Sequence, residues 1–237
     1  MNSNQTLPRH VALIMDGNRR WARKNNLSNE SGHSTGVDTL VNIAKTASDI
    51  GIEYLTFYSF SKENWNRDKS EISYLMKLMA NFESHYLDKI IKNNIKIKVI
   101  GDSETLSDTQ RKIIENVEQK TEQNDGMKLI AAFNYSGRNE LVRAIKKIIS
   151  EISKGNISEN DINEGMITKY LDTKDFPDPD LIIRSGGEKR ISNFLIWQSI
   201  YAEYVFIDDY WPDFKPDMLL DALKQYANRE RRFGSGN

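Results

Sequence analysis

Short runs of β-branched and aromatic residues alternate along the chain with longer segments that have the apolar spacing of helices. This alternation is typical of parallel β-α-β units. The pattern predicts strands at residues 11–15, 53–60, 95–100, 127–134, 181–184 and 204–207. It predicts helices at residues 36–50, 70–93, 107–123, 139–153 and 216–232, and shorter ones near 160–171 and 194–202.

The absence of a linker, an internal repeat or a low-complexity segment indicates a single domain. We therefore expect one α/β domain over residues 1–237, with flexible ends at 1–7 and 235–237. Its central sheet should be mainly parallel and six-stranded, flanked by helices. A chain of 237 residues buries enough surface to form a stable core without disulfides.

The predicted helix at 70–93 is apolar on more than one face. Its apolar positions are Ile72, Leu75, Met76, Leu78, Met79, Phe82, Tyr86, Leu87, Ile90 and Ile91. Two interpretations are open and compatible: the helix is buried on two sides, or one face packs on the sheet while the other lines an apolar cavity. In the second case, we expect Met127 near the closed end of the cavity.

Four loops that follow predicted strands combine arginine with glycine, serine or asparagine. They span residues 16–21, 59–67, 134–138 and 184–193. Ligands bind outside the carboxyl ends of the strands in open parallel sheets, so these loops should share one rim. Arginine in such loops suits bidentate recognition of phosphate, and we expect a large site for a polyanion there.

Asp16 ends the first predicted strand and precedes Gly17, a residue that lets a ligand approach the backbone. Asp16 could cap a helix, or it could bind Mg²⁺ together with diphosphate oxygens. Mg²⁺ usually takes only one or two protein carboxylates, so a single aspartate beside several arginines is sufficient.

Composition narrows the function classes further. The net charge of −1 at pH 7 argues against a nucleic-acid-binding module built on the basic segment 19–24. The chain has no cysteine, which excludes disulfides, thiolate zinc sites and a cysteine nucleophile. Residues 1–10 lack the apolar core of a signal peptide, and no apolar run approaches the ~20 residues that span a bilayer. We expect a cytoplasmic protein, with peripheral membrane contact left open.

Several familiar motifs fail in their context. Residues 32–36 match G-x-S-x-G, but a polar segment rather than a strand precedes them, which argues against a nucleophile elbow. The sequence has neither a P-loop nor G-x-G-x-x-G. The chain therefore lacks the motifs expected of a kinase or phosphatase that acts on small phosphates. The acidic run 208–213 is interpreted as a turn, because Pro212 and Pro216 are nearby. His10 and His85 lack metal-ligand spacing, whereas His33 could contact an anion.

Taken in order, these motifs resemble those of the cis-prenyltransferases, and most of all the undecaprenyl diphosphate synthases. The matching segments are 10–21, 32–36, 60–67, 134–138, 184–193, 201–203 and 229–234. The resemblance implies a homodimer with a hydrophobic tunnel that adds isopentenyl diphosphate to an allylic diphosphate. Farnesyl diphosphate is the expected primer, undecaprenyl diphosphate the expected product for a cell-wall lipid carrier, and Mg²⁺ the expected cofactor.

The resemblance also implies roles for individual residues. Asp16 would hold Mg²⁺, Glu203 would assist at the metal, and Asn64 would act at the condensation centre. The implied substrate-binding residues are Gly17, Asn18, Arg19, Arg20 and His33 for the allylic diphosphate, with Trp21 beside them; Ser61, Lys62, Glu63, Trp65 and Arg67 around Asn64; Arg184, Arg190 and Ser192 for isopentenyl diphosphate, with Ile191 between them; and Arg232 and Gly234 from a tail that would reach the partner subunit.

The sequence departs from the family pattern at two of these places. Asn29 stands where bacterial relatives usually offer an arginine to the allylic diphosphate, and Arg19 could compensate. Lys189 stands where some members have a histidine near the metal, so it is not assigned as a ligand. Two alternatives stay open: a cis-prenyltransferase of different product length, and a non-catalytic partner subunit, against which the presence of Asp16 and Asn64 argues.

Overall fold

The computed structural model describes residues 7–229. The strands are β1 (His10–Ile14), β2 (Tyr54–Ser61), β3 (Lys96–Ile100), β4 (Lys128–Tyr135), β5 (Leu181–Arg184) and β6 (Glu203–Phe206). The helices are α1 (Asn18–Lys24), α2 (Asn29–Asp49), α3 (Lys69–Lys92), α4 (Asp108–Lys120), α5 (Gly137–Ser153), α6 (Glu164–Tyr170) and α7 (Pro216–Ala227), and short 3₁₀ helices cover Lys62–Asn66, Glu159–Asp161 and Trp211–Asp213. Within residues 7–229, no helix has the length and apolarity needed to cross a membrane. The ends predicted to be flexible lie outside this range, except for Leu7.

The strands form one sheet in the order β3-β4-β2-β1-β5-β6, and every neighbouring pair is parallel. This confirms the predicted α/β fold with a six-stranded sheet. Strands β2 to β4 lie on one side of β1, and β5 and β6, which come later in the chain, lie on its other side. Because connections leave in opposite directions at such a point, a crevice opens outside the carboxyl ends of β1 and β5.

The core lies on both faces of the sheet, because alternate side chains of a strand point to opposite sides. Val11 and Leu13 of β1 pack in a large cluster with apolar residues of α2 and α7. Ala12 and Ile14 pack on the other face with Phe194, which follows β5. Every residue of β1 is buried, as is typical of a central strand covered on both sides.

The helix predicted at 36–50 begins earlier, at Asn29, and helix α1 was not predicted. Ser28 caps α2 through its side-chain oxygen, which accepts a backbone N–H of the first turn. The start of α2 is polar and contains glycine, which lowers helix propensity. Gly32 nevertheless has a packing role, because a Cβ there would lie 2.3 Å from the Asn18 carbonyl oxygen of α1.

The short helix predicted near 194–202 is wrong, because that segment forms a series of turns. Ser192, Asn193 and Leu195 have φ values of 50°, 62° and 45°, and a right-handed helix cannot continue through them. Helix α7 ends at Ala227 rather than at 232, and part of the predicted extension lies outside the described residues.

Candidate active site

Asp16, Arg184 and Arg20 form an ion-paired cluster at the carboxyl ends of β1 and β5. Asp16 lies two residues beyond β1, and Arg184 is the last residue of β5. Arg184 Nη2 donates to Asp16 Oδ2 over 2.9 Å, and Arg20 Nη2 lies 3.1 Å from Asp16 Oδ1. The Arg184 side chain is only 4% exposed, so its buried charge depends on this carboxylate for compensation.

Close backbone packing fixes Asp16 in this position. Its carbonyl oxygen accepts the Ser185 hydroxyl over 3.0 Å and the Trp211 N–H over 2.9 Å. Gly17 has a φ of 108°, and a Cβ there would lie 2.7 Å from the Tyr210 ring. A glycine is therefore required directly after Asp16 for both its backbone angle and its small size.

Arg184 also contacts the loop that follows β5. Its Nη1 donates to Ser192 Oγ over 2.8 Å and to the Arg190 carbonyl oxygen. Glu188 bridges Arg190 and Arg20, with 3.1 Å between Arg20 Nη1 and Glu188 Oε1. The structure thus brings three of the predicted diphosphate-binding arginines, Arg20, Arg184 and Arg190, together on one rim with Glu188, a carboxylate that was not predicted.

A second charged cluster surrounds Glu71 in the first turn of α3. The Glu71 side chain is 7% exposed; Oε1 accepts from Arg67 over 2.9 Å and lies 3.2 Å from His33 Nε2. Arg19 Nη1 lies 3.5 Å from Oε2. Burial lowers the pKa of His33, and the Glu71 carboxylate opposes part of that shift. An acidic residue in a first helical turn is common, so Glu71 carried no signal of a cluster in the sequence.

The condensation residue predicted at Asn64 lies in the 3₁₀ helix Lys62–Asn66, directly after β2. The Ser61 N–H donates to Asn64 Oδ1 over 3.1 Å, which fixes the orientation of the amide and leaves its NH₂ group as a donor. Trp65 Nε1 donates to Asn134 Oδ1 over 2.8 Å, so the turn is also connected to the end of β4.

Lys62 and Glu63, which were predicted to bind substrate, are held by other protein groups. Lys62 pairs with the buried Asp102. Glu63 Oε1 accepts Asn193 Nδ2 over 2.8 Å and Ser136 Oγ over 3.2 Å. Burial favours the protonated form of Glu63, but these and local hydrogen bonds outweigh it, so the pKa of Glu63 is lowered. In this structure both side chains connect loops.

An apolar cavity of about 180 Å³ borders the charged rim. Asn18 and His33 stand at its polar side, and the apolar lining includes Leu75, Leu78, Met79 and Phe82 of α3. This lining confirms the interpretation in which one face of the helix forms the wall of a cavity. On β4 the lining ends at Leu129, whereas Met127 packs in the core beyond it.

The residues around Asp16 fit a divalent cation and a phosphate ligand. Near Asp16, the buried side-chain atoms Asn18 Oδ1 and Arg184 Nε have no hydrogen-bond partner, a property that Gln198 Oε1, outside this cluster, shares. No three His, Cys, Asp or Glu side chains within residues 7–229 are grouped to hold a metal. One carboxylate is nevertheless the usual protein contribution to Mg²⁺, which completes its shell with phosphate oxygens and water.

The chain does not bring Glu203 to Asp16. Glu203 begins β6 opposite Leu181, at the amino end of the sheet, and pairs with Arg229 over 2.6 Å. The last residue of β6, Phe206, is three positions further along, so Glu203 lies about 10 Å along the strand from the rim. Arg232 and Gly234, the two residues of the tail that was predicted to reach the partner subunit, lie outside the described residues.

The remaining candidates are also placed by the structure. Trp21 Nε1 donates over 2.8 Å to Oδ1 of Asp213, the last residue of the acidic run, in the 3₁₀ helix Trp211–Asp213. Ile191 is partly exposed on the loop that contains Ser192. His10 is buried and hydrogen-bonded through both ring nitrogens, and His85 bonds to its own helix.

Comparison with known proteins identifies the family. The family model described as putative undecaprenyl diphosphate synthase matches residues 14–234. The isoprenyl transferase of Staphylococcus saprophyticus is 47% identical over 96% of this chain and 90% of its own. The ditrans,polycis-undecaprenyl-diphosphate synthase ((2E,6E)-farnesyl-diphosphate specific) of Micrococcus luteus is 45% identical over 96% of this chain and 92% of its own.

Solved structures give the same result. Lavandulyl diphosphate synthase from Lavandula x intermedia, in complex with dimethylallyl diphosphate, has a TM-score of 0.93 at 37% identity, covering 97% of this chain and 99% of that one. A probable undecaprenyl diphosphate synthase from Campylobacter jejuni has a TM-score of 0.81 at 34% identity, covering 97% of this chain and 100% of that one. The chain therefore belongs to the prenyltransferase family of the undecaprenyl diphosphate synthases and isoprenyl transferases.

Proposed function

We propose that this protein is a Mg²⁺-dependent cis-prenyltransferase that adds isopentenyl diphosphate units to an allylic diphosphate. The proposed primer is farnesyl diphosphate, and the proposed product is undecaprenyl diphosphate, for a cell-wall lipid carrier. The observation that carries this proposal is an apolar cavity that begins at Met15 and Asn18, which flank Asp16 and Gly17 in the chain, beside the Asp16–Arg184–Arg20 cluster. One site thus offers positive charge for diphosphates and a dry space for a hydrocarbon chain.

The allylic diphosphate is the leaving group of the proposed reaction. The allylic C–O bond breaks and a C–C bond forms to the terminal alkene carbon of isopentenyl diphosphate. The leaving diphosphate gains negative charge, so cations around it stabilise the transition state more than the ground state. Arg19, Arg20 and His33 would contact this diphosphate, and Mg²⁺ held by Asp16 would supply further charge compensation there.

Isopentenyl diphosphate would bind on the other side of Asp16. Arg184, Arg190 and Ser192 would hold its diphosphate, and Asp16 contacts both Arg184 and Arg20, so it fixes the spacing between the two anion sites. After the C–C bond forms, the isopentenyl C2 loses a proton. A diphosphate oxygen is the proposed acceptor and the Asn64 amide would orient the transfer, because hydrogen bonds to other loops already hold Glu63.

The cavity beside the rim would bind the growing chain. Each CH₂ group moved out of water contributes about 0.8 kcal/mol, so an apolar wall favours elongation without any specific contact. Helix α3 provides much of that wall. The lining residues of α3, and Leu129 at the far side, are therefore the proposed determinants of product length.

We also propose a homodimer in the cytoplasm, with peripheral membrane contact when the product leaves. The family resemblance supports these points, including the expectation that the tail at 232–234 completes the partner's active site. This tail lies outside the described residues.

A product assay tests the proposed function. Purified protein would receive Mg²⁺, farnesyl diphosphate and labelled isopentenyl diphosphate, and products would be resolved by chain length. We expect a ladder that ends at the undecaprenyl product and disappears with EDTA. A different end point would keep the reaction and revise the product length. A folded protein that incorporates no label with any allylic primer would favour the non-catalytic partner subunit.

A further inference from the structure

The side chain of Asn193 joins three loops of the candidate active site. Its Nδ2 donates to Glu63 Oε1 over 2.8 Å, after β2, and to Ser136 Oγ over 2.6 Å, after β4. Its Oδ1 accepts the Arg138 N–H over 3.0 Å, and its carbonyl oxygen accepts the Gly137 N–H over 2.8 Å. Asn193 itself lies on the loop after β5, so one residue connects the ends of three strands.

These contacts hold a backbone conformation that few side chains adopt. Asn193 has a φ of 62°, and the preceding Ser192 has a φ of 50°. The left-handed region is disfavoured for residues other than glycine, although asparagine tolerates it better than most. Such conformations persist at functional sites where surrounding contacts enforce them.

The sheet alone does not fix the distance between these loops. Strand β1 lies between β2 and β5, so no backbone hydrogen bonds join the carboxyl ends of those two strands. Glu63 directly precedes Asn64, and Asn193 directly follows Ser192, whose Oγ accepts from Arg184 over 2.8 Å. The Glu63–Asn193 hydrogen bond is therefore a direct connection between the Asn64 turn and the Arg184 site.

We propose that Asn193 is a positioning residue that sets the distance between Asn64 and the diphosphate held by Arg184 and Ser192. This inference rests on the proposed function and adds a residue that need not contact either substrate. A displacement of about 1 Å between reacting groups can lower the rate by about 100-fold. Loss of the connection should therefore reduce turnover far more than it weakens binding of the allylic primer.

Two variants of Asn193 distinguish the effect of its side-chain contacts from the effect of its backbone conformation. Glycine adopts a positive φ without strain, so Asn193→Gly removes only the side-chain contacts. We expect Asn193→Gly and Asn193→Ala to lower kcat by roughly 10- to 100-fold. The KM for farnesyl diphosphate should change by less than about threefold, because interactions lost only in the transition state act on kcat.

Asn94→Ala is the matched control. Asn94 has a φ of 55°, and its Nδ2 donates to Asp125 Oδ1 over 2.7 Å, just before β3 at the amino end of the sheet. Like Asn193, this residue has a positive φ and donates to a carboxylate, but it lies at the opposite end of the sheet. Asn94→Ala should leave kcat unchanged, which shows that loss of a strained asparagine alone does not reduce turnover.

A swap of donor and acceptor gives the sharpest test. Asn193→Asp places a second carboxylate against Glu63 and should lower kcat as much as Asn193→Ala. Adding Glu63→Gln restores a hydrogen-bonded pair of reversed direction, so the double variant should recover kcat by at least about tenfold over Asn193→Asp. No recovery, or wild-type kcat in Asn193→Gly, would overturn the proposal. The wild-type protein is assayed in parallel. If the wild type transfers prenyl groups, a failed test overturns only the role of Asn193; if it does not, the proposed function falls as well.

Discussion

Single residues in this site are held by charges that compensate each other across loops. Arg184 is buried and uses its planar guanidinium to contact Asp16, Ser192 and the Arg190 carbonyl oxygen at once. A lysine at this position keeps the positive charge but presents it as a compact ammonium on a flexible stem. The geometry of the donors, as well as the charge, therefore matters at position 184.

Arg184→Lys should lower kcat by roughly 10- to 100-fold and raise the KM for isopentenyl diphosphate, as measured by steady-state kinetics. Arg143→Lys is the matched control, because Arg143 makes a two-pronged ion pair with Asp172 at 2.7 and 2.5 Å, outside the charged rim. The control should lose stability without a change in KM. Equal kinetic losses in the two variants would contradict a specific role of Arg184 in binding.

Glu71→Gln should lower the pKa of His33 below its wild-type value. Burial already lowers this pKa, and the Glu71 carboxylate opposes the shift because a nearby negative charge favours the protonated ring. An NMR titration of the His33 imidazole measures the change. Glu83→Gln is the control, since Glu83 lies on the same helix but pairs with Lys120, so the His33 curve should stay at its wild-type position. An unchanged pKa in Glu71→Gln would exclude the contact.

Sequence position reveals some of these residues but not others. Asp16 and Arg184 could be predicted because each comes at or just after the end of an apolar strand. Glu71 and Glu188 could not, because each also pairs with a residue far away in the sequence, Arg19 for Glu71 and Arg20 for Glu188, whose approach depends on the whole fold. Glu203 is the opposite case. Its motif implied a role at the metal, whereas the strand register places it at the amino end of the sheet.

Among the elements, helix α2 shows how packing overrides local propensity. Each glycine inside a helix costs about 1 kcal/mol relative to alanine, and the first turns of α2 contain two, Gly32 and Gly36. The helix nevertheless forms from Asn29, because Ser28 caps it and its glycines allow contact with α1. Periodicity alone therefore placed the start of this helix too late.

Gly32→Ala should destabilise the protein by roughly 1–3 kcal/mol, although alanine is the better helix former. The added Cβ would lie 2.3 Å from the Asn18 carbonyl oxygen, a backbone atom that cannot move independently. Gly165→Ala in α6 is the control, because its nearest atom is the Asn163 side-chain oxygen at 3.2 Å. Urea unfolding measures both variants. A Gly32→Ala protein as stable as the wild type would show that α1 and α2 are not in close contact.

At the scale of the whole molecule, the fold class could be predicted but the strand order could not. Apolar runs and helical spacing revealed the six strands and most of the helices, although not α1. They do not reveal which strands are neighbours, and the site depends on that order. Asp16 and Arg184 are 168 positions apart and meet only because β1 pairs with β5.

Buried His10 makes global stability depend on pH. Its Nδ1 donates to the Pro177 carbonyl oxygen over 2.7 Å, so the neutral ring accepts the Thr56 hydroxyl at Nε2, also over 2.7 Å. Burial lowers the pKa of His10 from 6.5 to about 4. Between these values the unfolded chain binds more protons, so this contribution is complete above about pH 6.5 and is lost as pH falls towards 4.

The loss attributable to His10 should reach about 3 kcal/mol across that pH range. Urea unfolding of the wild type and of His10→Gln, at pH 7 and at pH 4.5, isolates it from other titrating groups. The wild type should lose more free energy of unfolding than the variant between the two pH values. Equal losses would show that His10 is not buried as a neutral ring.

Incorporation of labelled isopentenyl diphosphate by the wild type and by Asp16→Asn, over a range of Mg²⁺ concentrations, tests the proposed site most directly. Asparagine keeps the shape of Asp16 without the charge that Arg184, Arg20 and Mg²⁺ would share. We predict Mg²⁺-dependent elongation by the wild type and a rate at least about 100-fold lower for the variant, with an unchanged circular dichroism spectrum. A variant that elongates the primer at nearly the wild-type rate, with the same Mg²⁺ dependence, would contradict the assignment of Asp16 and of the site around it.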